Sequence, residues 1–260
     1  MKKDYRKRLL SIIDGKEYLS DKFNRATNNK NISAWGRKKS PEAWIKIHFK
    51  TYPRLNRIKL VKVFQNRKIS LVDVLKNRRS SRTFSGKPIS IKDLSYLLLY
   101  SSGIIDHGFA PDKSRRVYPS AGARYPLEVY PLILSDGDGV KAGLYHYNVK
   151  EHILEVILKE DLKHWLLEST GNFKPIIKAS VVFIVTGVLD RTRVKYGDRG
   201  YRYVLMEAGH MAQNLLLLAT GLGMANLAIG GYTDSKVTEL LNLELVKEVS
   251  LYMIAVGGYV

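Results

Sequence analysis

Tyr118-Pro119-Ser120-Ala121-Gly122-Ala123-Arg124-Tyr125-Pro126-Leu127-Glu128-Val129-Tyr130 joins two opposite kinds of chain. After Pro119 the residues are small, from Ser120 to Ala123. From Leu127 the pattern alternates and then runs apolar through Val129, Leu132, Ile133 and Leu134, as a half-buried strand does. A bend without bulky side chains that feeds a core strand lets backbone groups approach a flat ligand closely. An ordinary loop leading into a strand has the same composition. The stretch therefore gains meaning only from what surrounds it.

On the C-terminal side, Asp136-Gly137-Asp138-Gly139 is a turn cluster. Leu144 to Tyr147 and Ile153 to Leu158 flank a second turn and read as a β-hairpin. His146 sits in that strand with no other candidate ligand near it in sequence, so it reads as structural. A short helix surrounds Trp165, and Ser180 to Gly187 is a continuous apolar run suited to a buried strand. The interval Asp190 to Arg202 is polar, with Lys195-Tyr196 at its centre. From Tyr201 to about Thr220, Val204, Leu205, Ala208, Met211, Ala212, Leu215, Leu216 and Ala219 recur at helical spacing, and Gly221 and Gly223 stop the helix. His210 on that helix is expected in the core. Met224 to Ile229 reads as a strand closing on Gly230-Gly231, Thr233 or Asp234 starts a helix, and Ser250 to Val256 is a last strand.

On the N-terminal side, Ser70 with Asp73 and Ser90 with Asp93 cap two helices, the second stopped by Gly103. Between them lies Arg78-Arg79-Ser80-Ser81-Arg82-Thr83-Phe84. Its guanidiniums and hydroxyls could grip a phosphate, since Arg forks match phosphate oxygens; an exposed basic helix end looks the same. Residues 1–62 read as a basic, partly helical lead-in, with a helix start at Ser40-Pro41, a turn at Tyr52-Pro53, and Trp35, Trp44, Phe49 and Tyr52 suggesting a packed segment. Residues 63–260 read as the compact domain.

The net charge of +19 is concentrated early: residues 1–70 hold 20 Lys/Arg against 5 Asp/Glu, while the other 190 positions hold 23 against 19. A basic segment of this kind suits nucleic acid, a membrane surface or an acidic peptide, or is a solvated face; no nucleic-acid motif accompanies it, so nucleic acid is not the expected partner. There is no Cys, which excludes disulfides, thiolate metal sites, iron–sulfur clusters and a Cys nucleophile. No metal site is expected elsewhere. No apolar run reaches the roughly 18–20 residues that span a bilayer. The first ten residues lack the apolar core of a signal peptide, so a soluble, cytoplasmic protein is expected.

Taken in order, five segments resemble the FMN-dependent nitroreductase family, within it the azoline-oxidase branch, the SagB-type dehydrogenases that mature thiazole/oxazole-modified peptides. They are residues 78–84, Pro119 to Glu128, Gly143-Leu144-Tyr145-His146-Tyr147, Glu207-Ala208-Gly209-His210-Met211-Ala212-Gln213-Asn214, and Ile229-Gly230-Gly231. The resemblance covers residues 70–260. It implies an α+β fold, a mainly antiparallel central sheet wrapped by helices, in a domain-swapped homodimer with FMN sites at the interface. It implies that Arg78, Arg79, Ser80 and Arg82 hold the FMN phosphate, that Pro119, Ser120, Ala121 and Gly122 line the isoalloxazine, that Gly230 and Gly231 present backbone N–H groups to the flavin, and that Asn214 reaches the cofactor. One departure is that many relatives place a further Lys or Arg near the C-terminus on the phosphate, whereas no cation follows Lys247 here. The grip then rests more heavily on the first Arg cluster.

Without Cys or a metal cluster, redox chemistry has to come from a bound cofactor. The resemblance implies a Lys-Tyr pair ahead of the long helix, matched by Lys195-Tyr196, as base and electrostatic partner; an adjacent ammonium lowers a phenol pKa. A solvated loop pair would read identically. Three functions follow. The first is an FMN-dependent dehydrogenase that oxidises azolines to azoles in a peptide, with a cyclodehydratase partner. The second is an NAD(P)H-dependent reductase of nitro compounds, quinones or another small electrophile. The third is a non-catalytic flavin-fold binding protein that uses its basic segment.

Overall fold

A computed structural model describes residues 19–28, 49–62, 69–106 and 115–260. The chain divides into residues 1–39 and residues 40–260. Of the first unit residues 19–28 are described, and helix α1 (Leu19–Ala26) buries no side chain. The expected helix start at Ser40-Pro41, with Trp35 and Trp44, lies outside the described residues.

In the second unit, the turn at Tyr52-Pro53 is present: the Leu55 N–H donates to the Tyr52 carbonyl at 3.0 Å. It leads to strand β1 (Arg57–Lys59), helix α2 (Leu71–Asn77) and helix α3 (Ile91–Ser102). Both helices start as their sequences require. Ser70 Oγ accepts from the Asp73 N–H and Ser90 Oγ from the Asp93 N–H, so each serine satisfies an otherwise orphan donor of the first turn. Short strands β2 (Ile104–Asp106) and β3 (Arg115–Arg116) pair with each other. The chain then forms β4 (Leu127–Ile133), β5 (Gly143–Asn148), β6 (Ile153–Leu158), α4 (Lys163–Ser169), β7 (Val181–Val188), α5 (Asp190–Tyr196), α6 (Arg199–Gly221), β8 (Ala225–Ile229), α7 (Asp234–Leu241) and β9 (Glu248–Gly257).

Seven of the strands make one sheet in the order β1-β6-β5-β4-β7-β9-β8, every pair antiparallel. The expected α+β class and antiparallel sheet are therefore met. β7 is buried along all but its last residue, as its continuous apolar run requires, whereas β4 is buried along its whole length and is not the half-buried strand that its alternation suggests. Alternation decides what each face covers. Val129, Ile133, Val181, Phe183 and Val185 join α3 and α6 in one core. Tyr130, Leu132, Val182 and Ile184 join Leu166 of α4 and Val237 of α7 in the other.

Helix α6 lies against the sheet because its stripe of Val204, Ala208, Met211, Leu215 and Ala219 is buried. Burying Met211 and Leu215 contributes about 1.5–3 kcal/mol each. Close approach is possible at Gly187, where a Cβ would stand 2.7 Å from Val204 Cγ1. Its other side differs from expectation. Leu205, Met206 and His210 are exposed, so His210 is not a core residue. His210 directly precedes the buried Met211 and Ala212, and the step of about 100° per residue turns it off their stripe to the exposed side. Among the described residues no helix is long and apolar enough to cross a membrane.

Candidate active site

The loop ahead of β4 is conformationally unusual. Gly122, Ala123 and Tyr125 all have left-handed backbone, with φ of 62°, 53° and 46°. For Ala and Tyr such conformations persist only when surrounding contacts over-determine them. Those contacts are visible. Ser120 Oγ accepts from the Tyr125 N–H at 2.8 Å and donates to Glu207 Oε1 at 2.9 Å; the Ala121 N–H donates to the same oxygen at 3.1 Å. Arg124 is fully buried and its Nε–H donates to the Arg191 carbonyl at 2.8 Å. Arg191 in turn donates to the Tyr125 carbonyl at 3.1 Å and pairs with Glu128.

Glu128 continues into a buried charge cluster. His146 Nε2 lies 3.0 Å from Glu128 Oε2 and its Nδ1 lies 2.8 Å from Glu155 Oε2, all three side chains being essentially inaccessible. Burial alone opposes charging the imidazole, but the hydrogen bonds and charges of the two carboxylates raise its pKa. Burial likewise opposes ionising Glu128, yet Arg191, His146 and Arg116 bring its carboxyl down to about 2. The structural reading of His146 stands: it joins β4, β5 and β6, and through Arg191 it ties the loop and α5 to the sheet.

Helix α5 delivers Lys195 and Tyr196 to the loop. A Cβ on Gly122 would stand 2.6 Å from the Tyr196 hydroxyl and 3.1 Å from Lys195 Nζ, so both side chains rest on the face that Gly122 leaves open. Tyr196 is held edge-on by Tyr203 of α6, ring centres 5.0 Å apart. The polar interval that contains the pair is therefore helical. The expectation of a lowered phenol pKa is corrected. Burial, the largest influence, raises Tyr196, and Tyr203 and Glu207 add to it; Arg124 pulls the other way. Lys195 sits beside the ring, its Nζ 5.5 Å from the centre.

Glu207 was not singled out by sequence reasoning as a site residue. A carboxylate on the apolar stripe of α6, between Val204 and Ala208, was the available signal. The side chain is 3% exposed, Oε1 takes both loop donors, and Oε2 is buried with no hydrogen-bond partner. Burial pushes its pKa up to about 7, against the loop hydrogen bonds and the charge of Arg116. Pro119, Ser120, Ala121, Tyr203, Met206, Glu207 and His210 line an open pocket of about 270 Å³.

The remaining predicted residues lie elsewhere. Arg78 ends α2, Ser80 bridges to Asn226 beside β8, and the Ser81 N–H donates to the Asn226 carbonyl at 2.8 Å. Arg79, Ser80 and Arg82 are exposed, as are Gly230 and Gly231 just beyond β8. Asn214 Nδ2 donates to the Val117 carbonyl at 3.4 Å, a long contact. The 120–121 loop thus rests on Glu207, whereas Val74 of α2 and the preceding Ile69 lie beside Gly221. Fourteen residues of α6 separate those contacts, roughly 20 Å at 1.5 Å per residue. One chain brings Lys195, Tyr196, Glu207 and residues 119–122 together, and the Arg cluster with β8 forms a second group.

This fold and this order of segments match a family model, the nitroreductase family, over residues 75–259. The chain belongs to the nitroreductase family. It is accordingly an oxidoreductase. Among its relatives is a candidate nitroreductase of Methanocaldococcus jannaschii, 38% identical over 189 residues, covering 73% of this chain and 91% of the relative. Another is the microcin B17-processing protein McbC of Escherichia coli, 34% identical over 160 residues; the match covers 60% of this chain and only 57% of McbC. Among solved structures, a chain of the E. coli microcin synthetase McbBCD complex with truncated pro-microcin B17 bound superposes with a TM-score of 0.61 at 25% identity, covering 98% of this chain and 94% of that one.

Proposed function

We propose that this nitroreductase-family chain is an FMN-dependent dehydrogenase that oxidises azoline rings to azoles in a peptide. The observation that carries the reading is the convergence of the Tyr196 hydroxyl and Lys195 Nζ on the side-chain-free face of Gly122. A hydroxyl and an ammonium at one strained, flat loop suit removal of a ring proton next to a planar cofactor. Kinship with McbC, a processing protein of a peptide microcin, supports the substrate class.

The residues fit FMN. Exposed Arg79, Arg82 and Ser80, with Arg78, form a donor set for a phosphate dianion, and the left-handed, Cβ-free Gly122 leaves room for a flat ring. FMN held by these residues would supply hydride acceptance. Pro119, Ser120, Ala121 and Gly122 would line its ring, Gly230 and Gly231 would offer backbone donors, and Asn214 would add an amide. Lys195 orients Tyr196 and offsets negative charge at its oxygen, and the Tyr196 oxygen handles the ring proton.

The two groups of cofactor residues are reunited in a homodimer, the loop of one protomer facing the Arg cluster of its partner. Exposed Leu71, Val72 and Leu75 on α2 and Leu205 and Met206 on α6 supply the apolar surface for that association. A peptide substrate and a cyclodehydratase complete the proposed partners, in line with the complex in which the related E. coli chain is found.

The test is mass spectrometry of an azoline-containing peptide incubated with the FMN-loaded protein. Wild type removes two hydrogen atoms per ring; Tyr196→Phe keeps FMN and loses that activity. Undiminished oxidation by the variant removes Tyr196 from the mechanism. A second reading, NAD(P)H-dependent reduction of nitro compounds or quinones, is favoured by the M. jannaschii relative. Rapid anaerobic bleaching of the flavin by NADPH would select it.

A further inference from the structure

Tyr196 is held above the ordinary phenol range, so at neutral pH it can move a proton only by passing one on. A second group able to take up a proton would complement it. Glu207 is placed for that. It is 3% exposed, its Oε1 accepts from Ser120 Oγ and the Ala121 N–H, and its Oε2 is buried without a partner. A buried carboxylate with one unsatisfied oxygen is costly, and adding one proton removes the charge that burial penalises most. The same side chain lines the open pocket of about 270 Å³ beside Pro119, Ser120 and Ala121.

We propose that Glu207 is the proton-exchanging group of this site: Oε1 holds the 120–121 backbone in place, while the carboxylate takes one proton from an occupant of the adjoining pocket and releases it to water. The carboxylate becomes a neutral acid as the occupant loses one positive charge, and loss of that proton restores it. The inference rests on the oxidoreductase reading above. Charged and titratable groups face Glu207 from each neighbouring element: Arg116 from β3, Tyr118 from the loop, Tyr196 from α5, and Tyr203 and His210 from α6 itself. Arg116 favours the carboxylate, whereas burial favours the acid and sets the balance point at about 7. The loop donors persist in either form, because a protonated carboxyl still accepts at its carbonyl oxygen.

The test has two readouts on the full-length, FMN-loaded protein. Infrared difference spectra across neutral pH should show a carboxylic C=O band that fades as pH rises and is missing in Glu207→Gln. That variant keeps an oxygen acceptor for Ser120 and Ala121, so FMN retention should be unchanged. Its azoline oxidation should fall about a hundredfold and lose the neutral ionisation from its pH profile. Glu207→Asp, which keeps a titrating carboxyl, should retain pH dependence. The proposal is overturned if no band is lost in Glu207→Gln, or if its rate and pH profile match wild type. It is also overturned if the neutral ionisation persists there but disappears in His210→Gln. Failure of wild type to oxidise azolines would sink the substrate reading, while the infrared band would still decide the proton-exchanging role.

Discussion

Gly122→Ala tests whether Tyr196 and Gly122 share one space. Two costs are expected. An alanine held at φ 62° is left-handed, which costs about 1–2 kcal/mol. Its Cβ would also lie 2.6 Å from the Tyr196 hydroxyl. Restoring an ordinary contact moves that oxygen by about 0.8 Å, and such overpacking adds about 1 kcal/mol. The total of about 2–3 kcal/mol corresponds to a Tm drop of about 5–10 °C in a chain of this size. In a Tyr196→Phe background the hydroxyl is gone. The nearest remaining atoms are Nζ and Cδ of Lys195 at 3.1 and 3.3 Å, the flexible end of a long chain. Only the backbone cost should remain, leaving a coupling of about 1 kcal/mol between the two positions. Thermal denaturation of wild type, both single variants and the double variant measures it. Turnover of Gly122→Ala should fall about a hundredfold, since misplacing a reacting group by about 1 Å has that effect. Equal cost of Gly122→Ala in both backgrounds would show that Tyr196 does not occupy the space above Gly122.

Arg78→Ala combined with Arg82→Ala should release FMN on gel filtration while leaving Tm of the apoprotein within a few degrees; full FMN occupancy would disprove the phosphate grip. The buried charge cluster makes stability depend on pH in a defined direction. Glu128 is depressed to about 2, so its contribution is complete above pH 4.5 and is lost as pH falls toward 2; the drop is on the order of 3 kcal/mol. His146 is raised, so its contribution is complete below about 6.5 and declines as pH rises through its folded value. Glu128→Gln should therefore lower Tm more at pH 7 than at pH 3, and a pH-independent penalty would contradict the pairing. Met206→Asp should shift the molecular mass in solution from dimer to monomer and abolish FMN binding at ordinary protein concentrations; a dimer that survives with FMN would place the interface elsewhere.

Local signals in the sequence were sufficient for most elements. Ser70 and Ser90 cap the helices they announce, the turn residues between Tyr147 and Ile153 mark the β5–β6 hairpin, and the helix expected from Tyr201 to about Thr220 matches α6 within two residues. The small-residue run at Ser120 to Ala123 is compatible with an ordinary loop, and only its contacts with Glu207 and Tyr196 set it apart. What stayed hidden depends on distant contacts. Glu207 becomes a site residue only when a loop some 86 positions earlier folds onto it. His146 acquires its two carboxylates from flanking strands, so its neighbours in sequence are uninformative. The sign of the Tyr196 shift follows first from burial, with Tyr203, Arg124 and Glu207 acting from distant parts of the sequence.

The separation of the loop and the Arg cluster along α6 has a genetic consequence. In the proposed dimer, each site draws its loop from one protomer and its Arg cluster from the other. Tyr196→Phe in one gene copy and Arg78→Ala with Arg82→Ala in a second would each be inactive alone. In a cell that expresses both, mixed dimers concentrate all the lesions in one site and leave the other intact. Two dead alleles would then complement each other, which a site built wholly within one chain could never allow.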